Sequence, residues 1–163
     1  MGILTGILIY MMEQFLIVKK TDYGVGEYGE LYTDGACRGN GSKNSISGAG
    51  AVLFDQHGNV RFELRKYLGK GLTNNIAEYK ALILGLTKSL DIGIKSIHVY
   101  VDSKLICEQV RGNYRVKKPH LKKFFDRVVA LVAQFEKFKI ISVLRHLNRH
   151  ADRLANESII PLR

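Results

Sequence analysis

The sequence predicts an α/β domain: a five-stranded mixed sheet flanked by helices, in the chain order βββαβααβα. Three observations carry this reading. Strand-like runs come first: "ELYT" (30–33), "GAGAVLF" (48–54) and "RFELRKY" (61–67), the last two joined by the hairpin-like "DQHGN". A segment of helical period follows, "TNNIAEYKALILGLTKSL" (73–90). Helices then alternate with two further β-rich runs. A chain of 163 residues is long enough for one such core.

Each element has its own signal. "ELYT" is a short apolar strand, and "CRGNGSKNSISG" (37–48) reads as a turn-rich loop. Thr73 or Asn74 is available to cap the first helix, whose buried face would carry Ile76, Ala77, Leu82, Ile83, Leu84 and Leu86. "SIHVYV" (96–101) suits a buried central strand, and "DSKLICEQV" (102–110) starts with cap residues and continues as a helix. In "PHLKKFFDRVVALVAQF" (119–135), Pro119 sits at a helix start and apolar residues recur from Leu121 to Phe135. "KIISVLRHL" (139–147) reads as a last strand and "HADRLANESII" (150–160) as a last helix.

Ahead of this domain, residues 1–29 read as an extension and linker. The uncharged run in "MGILTGILIYMMEQFLIV" is broken at Glu13, short of the roughly 20 apolar residues that cross a bilayer. It also lacks the positive start and small-residue cleavage site of a signal peptide. A packed element, a membrane-proximal anchor and an extension from an upstream start are the three readings; Met11 and Met12 favour the last. The glycines of "KTDYGVGEYGE" mark the linker.

Charge narrows the partner. Lys and Arg number 25 against 15 Asp and Glu, a net charge of +10. Such a balance favours a polyanion, nucleic acid ahead of an anionic membrane surface. Cys37 and Cys107 belong to no C-x-x-C or Cys/His cluster, which argues against a disulfide scaffold or zinc site and for a reducing, cytoplasmic setting.

Four acids stand at element boundaries. Asp34 follows "LYT", Glu78 lies in the first turn of its helix among core-facing residues, Asp102 follows "IHVYV", and Asp152 opens the last helix. Taken singly, Asp102 and Asp152 are more simply N-caps, and Glu78 a first-turn partner of the helix dipole. Taken together, with the strands ending at Asp34 and Asp102 as neighbours, they describe a carboxylate cluster. Such a cluster cannot stay ionised in a small volume unless cations neutralise it, and Mg²⁺ or Mn²⁺ suits oxygen ligands.

The words around these acids, "YTDGACRGNG", "TNNIAEYKAL", "VDSKL" and "RHLNRHADRLAN", resemble in order the four signature blocks of the type 1 ribonuclease H family, over roughly residues 30–160. The match is closest to its compact bacterial and archaeal branch. The resemblance implies the ribonuclease H-like fold in a catalytic domain at 30–160, with Asp34, Glu78, Asp102 and Asp152 as metal-binding catalytic acids. It implies cleavage of the RNA strand of RNA–DNA hybrids by two divalent ions roughly 4 Å apart, leaving 5′-phosphate and 3′-hydroxyl ends. Asp34 would bridge the ions.

The resemblance also implies substrate contacts at Cys37, Asn40, Asn74 and Asn75, with Thr73 gripping a DNA phosphate. Each has a local alternative: a turn residue for Asn40, caps for Thr73 and Asn74, a small buried residue for Cys37. Arg111, Arg115, Lys117 and Lys118, with Tyr114 among them, would track the phosphate backbone; Lys122 and Lys123 fit a solvated helix face as well. The position of the family's loop histidine falls at Ser142, Arg145 occupies the nearby matching place, and His150 fits a helix surface better than the chemistry. Double-stranded RNA is a secondary expected substrate, a membrane partner is not expected, and a monomer is. The competing readings are a catalytically idle nucleic-acid-binding module of the same fold and a sister nuclease, whose acids would be spaced differently.

Overall fold

The computed structural model describes residues 27–160. Five strands, β1 (Tyr28–Arg38), β2 (Ile46–Phe54), β3 (Val60–Lys70), β4 (Ser96–Val101) and β5 (Lys137–Ser142), form one sheet in the order β3-β2-β1-β4-β5. The first three pair antiparallel; β4 pairs parallel with both β1 and β5. Four helices follow the expected order: α1 (Asn74–Asp91), α2 (Lys104–Arg111), α3 (Pro119–Val132) and α4 (Arg149–Glu157).

Side-chain alternation along the strands sorts the helices onto two faces. Leu31, Leu53, Ile97 and Val99 point to one face and join Tyr79, Leu82 and Leu86 of α1, Ile106 of α2, and Leu121 and Val128 of α3 in a single core. The buried Tyr79 hydroxyl donates to Gln109 Oε1 at 2.6 Å, tying α1 to α2. The other face carries α4. Central β2, covered on both sides, is buried along almost its whole length, whereas edge strand β3 is largely exposed.

Several boundaries differ from the sequence reading. The ladder takes in Tyr28 and Gly29, so β1 starts inside the segment 1–29 expected as extension and linker; the rest of that segment, residues 1–26, lies outside the described residues. The expected loop at 37–48 shrinks, because β1 runs on to Arg38 and β2 begins at Ile46, pairing with each other throughout. The last strand stops at Ser142. With no neighbour left to pair with, Arg145–Leu147 turn into a single 3-10 turn on which Leu144 and Leu147 are exposed.

Candidate active site

Tyr32 and Tyr100 form the last pair between β1 and β4. Asp34 and Asp102 each lie two residues further on, so both carboxylates emerge on one face where the strands part. Asp34 does not follow its strand, as expected, but stands inside β1 opposite Gly50 of β2. Glycines let the two remaining acids approach. A Cβ on Gly35 would lie 2.4 Å from both the Ala77 carbonyl carbon and the Glu78 amide, so α1 rests directly on the backbone of β1. On the opposite face, a Cβ on Gly50 would lie 2.3 Å from the Ala151 oxygen, next to Asp152.

Glu78 therefore belongs to the second turn of α1, not the first, and its place is set by packing rather than by the helix dipole. The cap reading of the other two acids fails as well. Thr73 caps α1 and Ser103 caps α2, each accepting from an amide three residues on, while Asn148 precedes α4. Asp102 and Asp152 are thus free of capping duty.

One oxygen each from Asp34, Glu78 and Asp102 lies within 4.8 Å of the others. Asp34 and Glu78 are only 4% and 6% exposed. Desolvation first, then repulsion from Glu78 and Asp102, pushes the Asp34 carboxyl up to about 10. Desolvation and Asp102 push Glu78 up to about 8, although the Gly35 amide donates to it and Arg145 attracts it. Burial raises Asp102 too, against the pull of Arg145. Asp152 stands outside the triad but bonds to Asp34. Arg145 reaches its Oδ1 at 3.5 Å, and Asn156 Nδ2 donates to the same oxygen at 3.1 Å.

All four acids open into one cleft of about 480 Å³, together with Cys37, Asn74 and Arg145. Cys37 Sγ donates to the Leu72 carbonyl at 3.2 Å, and Asn40 Oδ1 accepts from the Asn74 amide at 2.9 Å, so the loop after β1 is sewn to the start of α1. Asn75 faces a neighbouring groove that holds Tyr114, Arg115, Lys117 and Lys118. Arg111 lies apart from these, its Nε donating to the Ile140 carbonyl at 3.0 Å and its terminal nitrogen paired with Glu108. His150 pairs with Glu63 on the surface of α4, as its sequence position suggested.

Two residues of the site, Asn148 and Asn156, lie in "RHLNRHADRLAN" but carry no role in the sequence reading. Asn148 is buried, donates to the Thr33 carbonyl at 2.9 Å and also bonds to Asp102. It locks the end of β1 to the acid that follows β4. Its signal is its place four residues before Asp152 in "RHLNRHAD".

Residues 32–158 match the family described as reverse transcriptase-like. The bifunctional protein Rv2228c of Mycobacterium tuberculosis is 39% identical over 130 residues, covering 79% of this chain and 35% of that protein. The chain thus spans about a third of the length of its mycobacterial relatives. Ribonuclease HI of Halobacterium salinarum is 36% identical over 128 residues, 78% of this chain and 62% of the relative. Among solved structures, LC11-RNase H1 in complex with an RNA/DNA hybrid superposes with a TM-score of 0.74 at 35% identity, over 80% of this chain and 96% of that one. The ordered motifs, the fold and these likenesses agree: the chain belongs to the ribonuclease H type 1 family.

Proposed function

We propose that this chain is a metal-dependent endonuclease that hydrolyses the RNA strand of RNA–DNA hybrids, with two Mg²⁺ or Mn²⁺ ions per site. The observation that carries the reading is the convergence of Asp34, Glu78 and Asp102 within 4.8 Å in an open cleft that also receives Asp152. The donor set fits hard divalent cations. It offers carboxylate oxygens alone, crowded and desolvated so that Asp34 and Glu78 hold protons well above the ordinary carboxylate range unless positive charge replaces them. Asp34, hydrogen-bonded to Glu78 and Asp152 and close to Asp102, would hold such ions together with those three acids. When bound, such ions lower the pKa of an attacking water and stabilise the departing 3′-oxygen, leaving 5′-phosphate and 3′-hydroxyl ends.

The chain's own residues supply position. Asn148 fixes Asp102, the Gly35 amide orients Glu78, and Asn156 and Arg145 hold Asp152. Asn74 and Cys37 stand on the cleft wall, where a 2′-hydroxyl distinguishes RNA from DNA. Asn75, Arg115, Lys117 and Lys118 continue the path in the adjoining groove, as a sequence-tolerant backbone contact requires. An idle binder gains nothing from buried carboxylates facing phosphate.

The test is a labelled RNA–DNA hybrid with Mg²⁺ or Mn²⁺, compared with Asp102→Asn. Wild-type chain is expected to cut the RNA strand, and the variant to lose roughly 10³-fold in rate with hybrid binding kept. Binding without cleavage by the wild-type chain would favour the idle module, and equal cleavage by the variant would move the chemistry elsewhere.

A further inference from the structure

Helix α1 has a second working face. Glu78 and Asn74 look into the acidic cleft. Roughly half a turn round the helix, Lys80, Ile83, Leu84, Thr87, Lys88 and Asp91 repeat at helical spacing along a separate groove, completed by β3 and α3. Its floor is apolar and only half-buried: Leu64 and Leu68 from the edge strand, Ile83 and Leu84 from α1, and Phe124 from α3. Its rim is cationic, with Lys66, Lys80, Lys88, Lys123 and Arg127 against Asp91 as the one acid in the lining. Two of those cations are held in place beforehand. Lys80 Nζ stands 5.5 Å and Lys123 Nζ 5.0 Å from the centre of the Phe124 ring. The groove encloses about 680 Å³, and none of its residues lines the acidic cleft.

We propose that this groove is a docking site for an acidic protein segment whose Asp and Glu residues are interspersed with Leu or Phe. Charge complementarity selects the acids, since the rim carries an excess of positive charge. The floor selects the apolar residues, since leucines, an isoleucine and a phenylalanine open to water are covered best by side chains of the same kind. A nucleic-acid backbone would use the rim and leave the floor wet. A bilayer surface is planar and does not enter a concave channel between a strand and two helices. The remaining occupant is an extended or helical segment laid along α1, reading rim and floor together. This inference is independent of the nuclease reading.

The experiment titrates the full chain into a fluorescein-labelled synthetic peptide of Asp, Glu, Leu and Phe and follows anisotropy at physiological ionic strength. Saturable binding is expected, weakened at least about tenfold by the double substitution Lys88→Glu/Arg127→Glu. It should weaken by at least about tenfold again when every Leu and Phe of the peptide is replaced by Ser. Hybrid cleavage by the double variant should match that of the parent. Amide shift mapping on the unsubstituted chain needs no variant to fold, and the shifts should fall on β3, α3 and the C-terminal half of α1. Four results would overturn the proposal: equal binding of the Ser peptide, shifts centred on the acidic cleft, hybrid affinity falling with peptide affinity by the same factor, or capture by phosphatidylserine vesicles with no peptide binding.

Discussion

In the acidic cleft, Asp34 and Glu78 are buried and packed against Asp102, with Arg38 and Arg145 on the cleft wall; along residues 111–118, every Arg and Lys is exposed. Like charges are thus crowded at one site and spread out at the other. The cleft's electrostatic cost is large and unscreened, because desolvation is the leading cause of the raised Asp34 and Glu78 pKa values. The basic stretch has almost no such cost, and salt screens what it contributes. On the proposed reading, the comparison teaches that chemistry would depend on a few positions held by backbone contact, whereas affinity would depend on several exposed cations, Arg111 apart.

The sharpest way to break the comparison is at the backbone contact. Gly35→Ala places a methyl 2.4 Å from the chain of α1 and must lift Glu78 away. We expect destabilisation of about 1–3 kcal/mol in urea unfolding. Cleavage should fall about 10²-fold even well below the melting temperature, since a small misplacement of a reacting group is enough. Unchanged cleavage would mean that Glu78 is not positioned by this contact.

The next effect is on pH. The folded-state values of about 10 for Asp34 and about 8 for Glu78 lie above ordinary carboxylate values, so between those limits the metal-free folded chain holds protons that the unfolded chain has released. Stability therefore falls as pH rises through that window. In chelator, Asp34→Asn should melt roughly 3–6 °C above the parent at pH 8, with the gap narrowing toward pH 5. Mg²⁺ should raise the melting temperature of the parent and leave the variant's nearly unmoved. A gap that widens on acidification would contradict the buried repulsion.

The smallest effect belongs to the loop. Lys117→Ala and Lys118→Ala should each reduce the slope of log affinity against log salt by about 1, with kcat unchanged. Arg111→Ala should instead lower stability, because its guanidinium serves Ile140 and Glu108.

Much of this was legible beforehand. The element order follows from periodicity, and the four acids stand out because each sits in a motif whose neighbours are also informative. What escaped the sequence is long-range. That Gly35 and Gly50 are bare so that helices can touch the sheet depends on partners more than 40 residues apart for Gly35 and about 100 for Gly50. The reach of β1 past Asp34 depends on β2 lying alongside to bond it. Asn148 looks like a turn residue until its amide meets Thr33. Ser103 takes the cap that Asp102 was offered, because the aspartate turns toward the cleft.

Beneath the cleft, the two bare positions lie on adjacent strands and face opposite ways, so the protein there is only one peptide ribbon thick between its two helices. Both acid-bearing helices are gauged against the same ribbon. Lengthening of the hairpin at 55–59 leaves that gauge alone, whereas the turn at 39–45, tied to α1 through Asn40, does not share that freedom.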